Sequence, residues 1–179
     1  MHRLFFALQP SVEVAAQTME AAASWLAQLQ AAPVPVSNLH ATLCFMGAVA
    51  PERLDQLREV AAGIRAPATE LKFDEFDYWD KPRVLCACAS RESAEATALS
   101  IALHEATIAA GFAPDAKIFR AHLTLARKIR PALAEKIAWP QKISPGFVVR
   151  CEEFVLMESR RGEQGSIYSV VNSWPLYEK

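Results

Sequence analysis

The stretches His40-Ala41-Thr42-Leu43 and His122-Leu123-Thr124-Leu125 share one order of residues: histidine, an apolar residue, threonine and leucine. Each stretch is predicted to lie in a strand that follows a first strand and a helix, so the two occupy equivalent places in the two halves of the chain. Because alternate side chains of a strand point to opposite faces, the histidine and threonine share one face and the apolar residues share the other. The apolar face can pack against helices, which leaves the polar face for a groove.

The same alternation of strand-like and helical runs extends over the chain. Residues 2–78 read strand, helix, strand, helix, strand, and residues 83–158 read the same way, which is a repeat of pattern and not of sequence. The predicted strands are 3–8, 38–46, 69–78, 83–89, 120–127, 147–158 and 166–172, and the predicted helices are 12–30, 51–65, 91–110 and 131–138. Elements in this order usually form sheets with helices on one face. We therefore predict an α+β fold with two pseudo-symmetric lobes, each an antiparallel-type sheet with helices on its outer face, in a single domain of residues 1–179.

Local signals support several of these boundaries. Ser11 is a predicted N-cap for the first helix, and Gly111 is a predicted C-cap for the third. Gly47 is predicted to close the strand over 38–46. The predicted apolar side of the first helix consists of Val12, Ala15, Ala16, Met19, Ala23, Leu26 and Leu29.

Length and composition exclude several classes of protein. At 179 residues the chain fits one domain, and its 52% of hydrophobic residues excludes disorder. The apolar runs are far shorter than the roughly 20 residues that span a bilayer, so no membrane partner is expected. A net charge of −1 excludes a generic polyanion binder. Four cysteines without metal-binding spacing indicate free thiols, and the N-terminus resembles a first strand rather than a signal peptide, so we expect a cytoplasmic protein.

The paired histidines and threonines define a candidate catalytic site. If an approximate twofold axis relates the lobes, His40, Thr42, His122 and Thr124 converge in a groove between them. Histidines with a pKa of about 6.5 can act as one acid and one base, and threonine hydroxyls can donate hydrogen bonds to anionic oxygens. This set suits in-line displacement at phosphorus, and it needs no metal ion if other donors and cations neutralise the phosphoryl charge.

A basic stretch around the second motif favours an anionic substrate. Residues 116–130 contain no acidic residue, and their cations are Lys117, Arg120, Arg127, Lys128 and Arg130. Arg127 lies three residues beyond Thr124, so on an ideal strand it would face away from the groove. Its use as a phosphate ligand therefore requires a bend or the end of the strand.

Other histidines and the tryptophans carry weaker signals. Neither His2 nor His104 has a threonine two residues on, and His104 is predicted to be a structural residue in the middle of a helix. The tryptophans are predicted to pack in the core or between the lobes rather than to stack on bases; they are Trp25, Trp79, Trp139 and Trp174.

With both motifs in view, the chain resembles the two-histidine phosphoesterases. It is most similar to the bacterial and archaeal RNA 2',3'-cyclic phosphodiesterases, also called 2'-5' RNA ligases. The stretches 38–47 and 119–127 are similar to the two motifs of that family, 3–8 resembles its opening strand, and 158–176 resembles its closing strands. One departure is Ala121, which stands where the family usually has proline before the second histidine.

The resemblance implies a two-lobed fold with the groove between the lobes, and metal-independent hydrolysis of a terminal 2',3'-cyclic phosphate to a 2'-phosphate without a cofactor. It implies that His40 donates a proton to the leaving 3' oxygen and that His122 activates water. Thr42 and Thr124 would hold the phosphate oxygens, assisted by Arg127. The reverse reaction would join RNA ends through a 2'-5' bond without ATP. The residues alone leave the two histidine roles symmetric.

Two alternatives remain open at the level of the sequence. One is a relative that acts on a small cyclic nucleotide such as ADP-ribose 1'',2''-cyclic phosphate. The other is a non-catalytic module that binds RNA ends, against which the presence of both histidines and both threonines argues. In each case the expected partners are RNA ends or small nucleotides with a cyclic phosphate, and we expect a monomer.

Overall fold

The strands of the protein pair into two sheets. A computed structural model describes residues 1–162 and 165–178. Its strands are β1 (His2–Leu8), β2 (Ala41–Val49), β3 (Thr69–Trp79), β4 (Val84–Cys88), β5 (His122–Arg127), β6 (Gln141–Cys151), β7 (Glu153–Gly162) and β8 (Gly165–Pro175). Its helices are α1 (Val12–Ala21), α2 (Ala23–Gln28), α3 (Leu54–Ala62), α4 (Ala94–Ala109) and α5 (Pro131–Ala134), with 3-10 turns at Val36–Asn38 and Pro51–Arg53. Within these described ranges, no helix is both long and apolar enough to cross a membrane.

Both sheets have four antiparallel strands and the same plan. The first lobe contains the sheet β2-β1-β7-β8, and the second lobe contains the sheet β5-β4-β3-β6. In each lobe a helical segment joins an inner strand to the edge strand of the histidine motif: α1 and α2 join β1 to β2, and α4 joins β4 to β5. This arrangement confirms the predicted α+β class and the two pseudo-symmetric lobes with antiparallel sheets.

The main hydrophobic core lies on the helix-facing side of both sheets. Phe6 and Phe154 of the first lobe, Phe73 and Leu85 of the second, and Leu103 of α4 are fully buried members of one cluster. Burial of such side chains contributes about 1.5–3 kcal/mol each relative to exposure. Because this cluster draws on both sheets, the two lobes share a core on their helix side, and their opposite faces are left for the groove.

The chain crosses between the lobes twice. After α3 it enters the second sheet as β3, which pairs with β4 and β6. It returns at Glu152, where β6 ends and β7 begins in the first sheet beside β1. The prediction of one strand over 147–158 is therefore wrong. The strand-like pattern of residues 147–158 continues through the crossing at Glu152, and no glycine or proline stands there. The sequence therefore has no local signal for the point at which the chain changes sheet.

The predicted first helix is also divided. Ser11 caps α1 as predicted, since its side chain accepts a hydrogen bond from the N–H of Val14. The helix breaks at Ala22, and the buried positions of the two helical segments are Ala15, Thr18, Ala22, Leu26 and Leu29. The predicted Val12, Ala16 and Ala23 are exposed instead. Thr18 takes a buried position because its hydroxyl donates to the Val14 carbonyl at 2.7 Å, which satisfies the polar group.

The remaining helices are shorter than predicted. The helix expected over 51–65 is a 3-10 turn followed by α3, and the helix expected over 131–138 is the single turn α5. The helix expected over 91–110 is α4, which Ser93 caps at its start. Gly111 follows it with φ of 78°, the left-handed conformation that favours glycine at the end of a helix.

Each motif strand contains a one-residue bulge directly after its threonine. In β2 the extra residue is Leu43, which follows Thr42, and in β5 the extra residue is Leu125, which follows Thr124. An extra residue shifts the alternation of side chains by one position. The strands therefore bury two consecutive apolar residues after the threonine and then return to the polar face.

A second bulge in β2 explains why Gly47 does not end the strand. Met46 is the extra residue there, and Gly47 continues the pairing with φ of 68°. That conformation is accessible to glycine at little cost. The strand runs on to Val49, and it begins at Ala41 rather than at residue 38, because Val36–Asn38 forms a 3-10 turn.

The two motif bulges are stabilised across the lobes. The carbonyl of Leu43 accepts a hydrogen bond from the Ser100 hydroxyl of α4 at 2.6 Å. The carbonyl of Leu125 accepts a hydrogen bond from the N–H of Val34, in the segment before β2, at 2.8 Å. A bulge leaves backbone groups outside the ladder, and a buried carbonyl without a donor is costly. Each lobe therefore supplies the donor that the bulge of the other lobe requires.

We expect Ser100→Ala to lower the free energy of unfolding by about 1–3 kcal/mol, because the buried carbonyl of Leu43 loses its donor. Denaturant titration of both proteins measures the change. Ser24→Ala is the matched control, since Ser24 is an exposed helical serine and makes no side-chain hydrogen bond to the described residues. Equal stability of the two variants would contradict a role for Ser100 in supporting the bulge.

Candidate active site

The two motifs alternate between core and groove as their sequences predict. Their apolar residues belong to the core cluster: Ala41, Leu43, Leu123 and Leu125. Their polar residues are partly exposed on the opposite face: His40, Thr42, His122 and Thr124. His40 lies just before β2, and His122 is the first residue of β5.

Both motif histidines make the same hydrogen bond. Nδ1 of His40 lies 2.7 Å from the carbonyl oxygen of Asn38, and Nδ1 of His122 lies 2.7 Å from the carbonyl oxygen of Arg120. A carbonyl oxygen can only accept, so Nδ1 of each ring carries the proton and donates it. The remaining nitrogen, Nε2, is the reactive one: it accepts a proton when the ring is neutral and donates one when the ring is charged.

His40 is packed among aromatic side chains. Its ring centroid is 4.7 Å from that of Phe5 and 5.0 Å from that of Tyr168, which meets it edge-on. Burial lowers the pKa of His40 to about 4, against the opposing effect of the hydrogen bond to Asn38, and the charges of His122 and Arg127 lower it further. The ring is therefore neutral at neutral pH in the free protein.

His122 has a different environment in the second lobe. The Trp79 ring lies 4.5 Å from its ring centroid, and Cys86 and Cys88 form a small apolar cluster on the same face of the sheet. Burial is the main cause that lowers the pKa of His122, with further lowering by the charges of Arg120 and Arg127. The hydrogen bond to the Arg120 carbonyl acts in the opposite direction.

The bulge at Leu125 brings Arg127 to the face of the histidines. Arg127 pairs with Val84, which belongs to the groove-side cluster with Cys86. Without the extra residue, the Arg127 side chain would lie on the face of the sheet that packs against the helices. The bulge therefore provides the bend that contact between Arg127 and a phosphate in the groove requires. The charge of Arg127 lowers the pKa of both His40 and His122, so it acts on the motif histidine of each lobe.

The first lobe has an aromatic residue at the position that corresponds to Arg127. Phe45 lies three residues beyond Thr42, and the equivalent bulge returns it to the groove face opposite Phe5. The Arg3 guanidinium lies 5.1 Å from the centre of the Phe45 ring. The charge in this lobe is thus carried by β1 rather than by the motif strand.

Both motif threonines have uncommitted hydroxyls. Thr124 Oγ1 lies 3.9 Å from the Cys86 sulfur, a weak contact, and Thr42 makes no side-chain hydrogen bond to the described residues. Either hydroxyl can therefore donate to an oxygen of a bound anion. Among the same described residues, no group of three histidine, cysteine, aspartate or glutamate side chains is placed to hold one metal ion.

Several residues at the site were not identified from the sequence. Trp79 is expected to be a packing residue, yet it is only partly buried and lies against His122, with the Arg120 guanidinium 4.9 Å from the centre of its ring. Phe5 and Tyr168 contact His40. Their positions depend on strand pairing between distant segments, for which the sequence gives no local signal.

Other predicted structural residues keep that role. Trp25 packs on Trp139 at 5.6 Å, and Trp174 stacks on Phe154 at 5.3 Å. His104 lies within hydrogen-bond distance of two backbone carbonyls, those of Ser100 and Asp115. In the basic stretch, Lys117 pairs with Asp115, Arg130 bonds to Gln30, and Lys128 is exposed. The charges of Arg120 and Arg127 lower the pKa of His122.

Comparison with known proteins identifies similar sequences and structures. The family model described as "2'-5' RNA ligase superfamily" matches residues 9–163. The RNA 2',3'-cyclic phosphodiesterase of Escherichia coli (strain K12) is 28% identical over 176 residues, which cover 97% of this chain and 96% of the relative. The RNA 2',3'-cyclic phosphodiesterase of Archaeoglobus fulgidus is 31% identical over 140 residues, which cover 75% of this chain and 78% of the relative.

Solved structures agree with the sequence matches. The structure of E. coli LigT complexed with 3'-AMP has a TM-score of 0.86 at 26% identity and covers 98% of each chain. The structure of the protein TT0787 of Thermus thermophilus has a TM-score of 0.80 at 26% identity and covers 99% of each chain. The two-lobed architecture described above is therefore shared with these proteins over nearly its whole length.

We expect Arg127→Gln to raise the pKa of both His40 and His122, because a positive charge near an imidazole disfavours its protonated form. NMR titration of histidine-labelled protein measures both values. Lys128→Gln is the matched control, since Lys128 is the next residue and is exposed. Unchanged histidine pKa values in the Arg127 variant would show that its charge does not reach the site.

Proposed function

The chain belongs to the 2'-5' RNA ligase superfamily, and from that membership we propose that it hydrolyses the 2',3'-cyclic phosphate at the end of an RNA or of a nucleoside to a 2'-phosphate. The observation that carries the proposal is the pair of motif histidines, each with Nδ1 bonded to a backbone carbonyl, which leaves Nε2 for proton transfer. Hydrolysis of a cyclic phosphate needs one group to accept a proton and one to donate it.

The reaction is an in-line displacement at phosphorus. Nε2 of His122 accepts a proton from water as the water oxygen bonds to phosphorus. The bond from phosphorus to the 3' oxygen breaks on the opposite side, and Nε2 of His40 donates its proton to that oxygen. The products are a 2'-phosphate and a 3' hydroxyl. The assignment of the two roles comes from the family resemblance, and the surroundings of His40 support it.

The apolar surroundings of His40 suit a proton donor. An imidazole whose pKa is about 4 is a strong acid once it is protonated, so it gives its proton readily to a leaving oxygen. The ring is neutral in the free protein and gains its proton when an anion is bound, because a negative charge nearby raises the pKa of an imidazole. Binding of the cyclic phosphate thus prepares the acid.

The threonines and Arg127 stabilise the phosphoryl group. The hydroxyls of Thr42 and Thr124 donate to its non-bridging oxygens, and Arg127 offers a bidentate guanidinium for the charge that develops in the transition state. Donors held in place before the reaction cost no reorganisation when that charge develops. Run in reverse, the same groups join a cyclic phosphate end to a second RNA through a 2'-5' bond without ATP.

The partners of the protein are nucleotides. Solved relatives include E. coli LigT complexed with 3'-AMP and with ATP, which supports nucleotide binding in this fold. We propose that residues 1–179 act as one two-lobed unit, as a monomer and in the cytoplasm. Four free, buried cysteines support a reducing compartment.

The direct test is cleavage of an RNA that ends in a 2',3'-cyclic phosphate, with EDTA present. We expect turnover to a 2'-phosphate, and a loss of about 10²–10⁴-fold in kcat for His40→Ala and for His122→Ala. His2→Ala is the control, because its imidazole bonds to Glu158 away from the motifs. A requirement for metal ions, or turnover by either motif variant at the wild-type rate, would exclude this mechanism.

The pH dependence gives a second test. The productive form has His40 protonated and His122 neutral, so rising pH removes the acid and falling pH removes the base. Because burial lowers both pKa values in the free protein, kcat/KM should follow a bell with its maximum below about pH 6.5. The maximum of kcat should lie at higher pH, since the bound anion raises the pKa of His40. A kcat/KM that stays flat to pH 8 would contradict this protonation scheme.

A further inference from the structure

Asn38 connects His40 to a strand of the first lobe that is distant in sequence. Its side chain is largely buried and makes two hydrogen bonds to β8: Nδ2 donates to the Ser166 carbonyl at 2.8 Å, and Oδ1 accepts from the N–H of Tyr168 at 3.3 Å. Its own main-chain carbonyl accepts from Nδ1 of His40 at 2.7 Å. One residue therefore holds the imidazole on one side and the strand with Tyr168 on the other.

The part of β8 that Asn38 holds belongs to a projecting hairpin. The pairing of β1 with β7 covers Val155 to Glu158 and goes no further along β7. Beyond Glu158, the strands β7 and β8 pair only with each other through the described residues up to the Gly162–Gly165 pair. The side chain of Asn38 fastens this hairpin from the β8 side at Ser166 and Tyr168. Without that amide, β8 loses the two hydrogen bonds that hold its backbone at Ser166 and Tyr168. The Tyr168 ring, which meets His40 edge-on, is then held less firmly.

The second lobe repeats the arrangement with different chemistry. Arg120 stands two residues before His122, and its carbonyl accepts from Nδ1 of that ring. Its side chain reaches β3, where the guanidinium lies over Trp79 and 3.7 Å from the carboxylate of Asp77. Trp79 in turn lies against His122. In both lobes, the residue that fixes the histidine also holds an aromatic side chain against it.

The two lobes differ in how firmly the residue before the motif is held in place. The Arg120 side chain is 54% exposed and forms a long ionic contact, whereas Asn38 is 8% exposed and forms neutral hydrogen bonds to backbone. Exposed ion pairs contribute little, while buried hydrogen bonds are costly to break. The histidine of the first lobe is thus the more tightly fixed of the two.

We propose that Asn38 is a positioning residue for the hydrolysis, which keeps Nε2 of His40 directed into the groove by holding the turn before β2 and the hairpin with Tyr168 together around the ring. The inference rests on the proposed function, in which His40 is the proton donor. The neutral amide of Asn38 meets both needs of the site, which are one donor for the Ser166 carbonyl and one acceptor for the Tyr168 N–H. A displacement of about 1 Å at a reacting group can cost roughly 10²-fold in rate.

The first experiment compares Asn38→Ala with Asn172→Ala. We expect Asn38→Ala to lower kcat by about 10–10²-fold with little change in KM. We also expect the pKa of His40 to rise, because burial is its main cause of lowering and a loosened hairpin admits water. His122 and Arg127, the charged groups that act on His40, stay in place. Asn172 is the control: it lies elsewhere on β8 and accepts from Arg58 at 2.7 Å, so its loss lowers stability without changing the titration of His40.

The second experiment uses Asn38→Asp, which separates positioning from a general loss of structure. When its carboxyl group is protonated, it keeps the shape of the amide and has both a donor and an acceptor. When the carboxyl group is ionised, the donor to the Ser166 carbonyl is lost, and a carboxylate oxygen repels that carbonyl oxygen. The ratio of its kcat to that of the wild type should therefore rise as the pH falls, whereas the ratio for Asn38→Ala should not.

The outcomes are distinct. Wild-type kcat and an unchanged His40 titration in folded Asn38→Ala would overturn the inference, as would a pH-independent ratio for Asn38→Asp. If Asn38→Ala does not fold, Asn38→Ser, which is too short to bridge both partners on β8, replaces it with the same expected results. If the wild type fails to hydrolyse cyclic phosphates, the proposed function fails, and the NMR titration of His40 in the variants still tests how Asn38 holds the ring.

Discussion

The hydrogen bond that each motif bulge accepts from the other lobe is the constraint on which the site depends. Each motif strand has one residue too many for its partner, and the carbonyl of that residue is satisfied from the other lobe, by Ser100 for Leu43 and by Val34 for Leu125. The extra residue shifts the alternation of side chains, so that the side chain two positions later faces the groove. In the second lobe that side chain is Arg127, whose charge acts on both histidines. In each lobe, the strand that carries the motif histidine and threonine is therefore supported by a hydrogen bond from the other lobe.

Approximate symmetry gives the site two similar histidines, and the neighbouring side chains make them different. Both rings have the same hydrogen bond at Nδ1, which is a property of the backbone before each motif strand. His40 lies against Phe5 and Tyr168, whereas His122 lies against Trp79 and is affected by the charge of Arg120. The proposed reaction needs one acid and one base, and this difference in surroundings is what distinguishes the two rings.

The sequence predicted those features that depend on local periodicity. Alternation over four residues was sufficient to assign the faces of both motifs, and Ser11 and Gly111 marked the ends of helices through their own conformations. Features that depend on distant partners were not predictable. The bulge that redirects Arg127 exists only because β4 fixes the register of β5. The change of sheet at Glu152 occurs within a continuous β-type pattern, since both flanking strands bury apolar residues against different partners.

The two crossings of the chain have a consequence for the order in which a ribosome can complete the molecule. The first sheet takes β1 and β2 from the beginning of the chain and β7 and β8 from its end, and the second sheet is built from the strands between. Synthesis from the N-terminus therefore delivers every strand of the second sheet while β1 still lacks its neighbour β7. A strand with an unpaired edge can pair with other chains, so this interval is when the nascent protein is most exposed to aggregation.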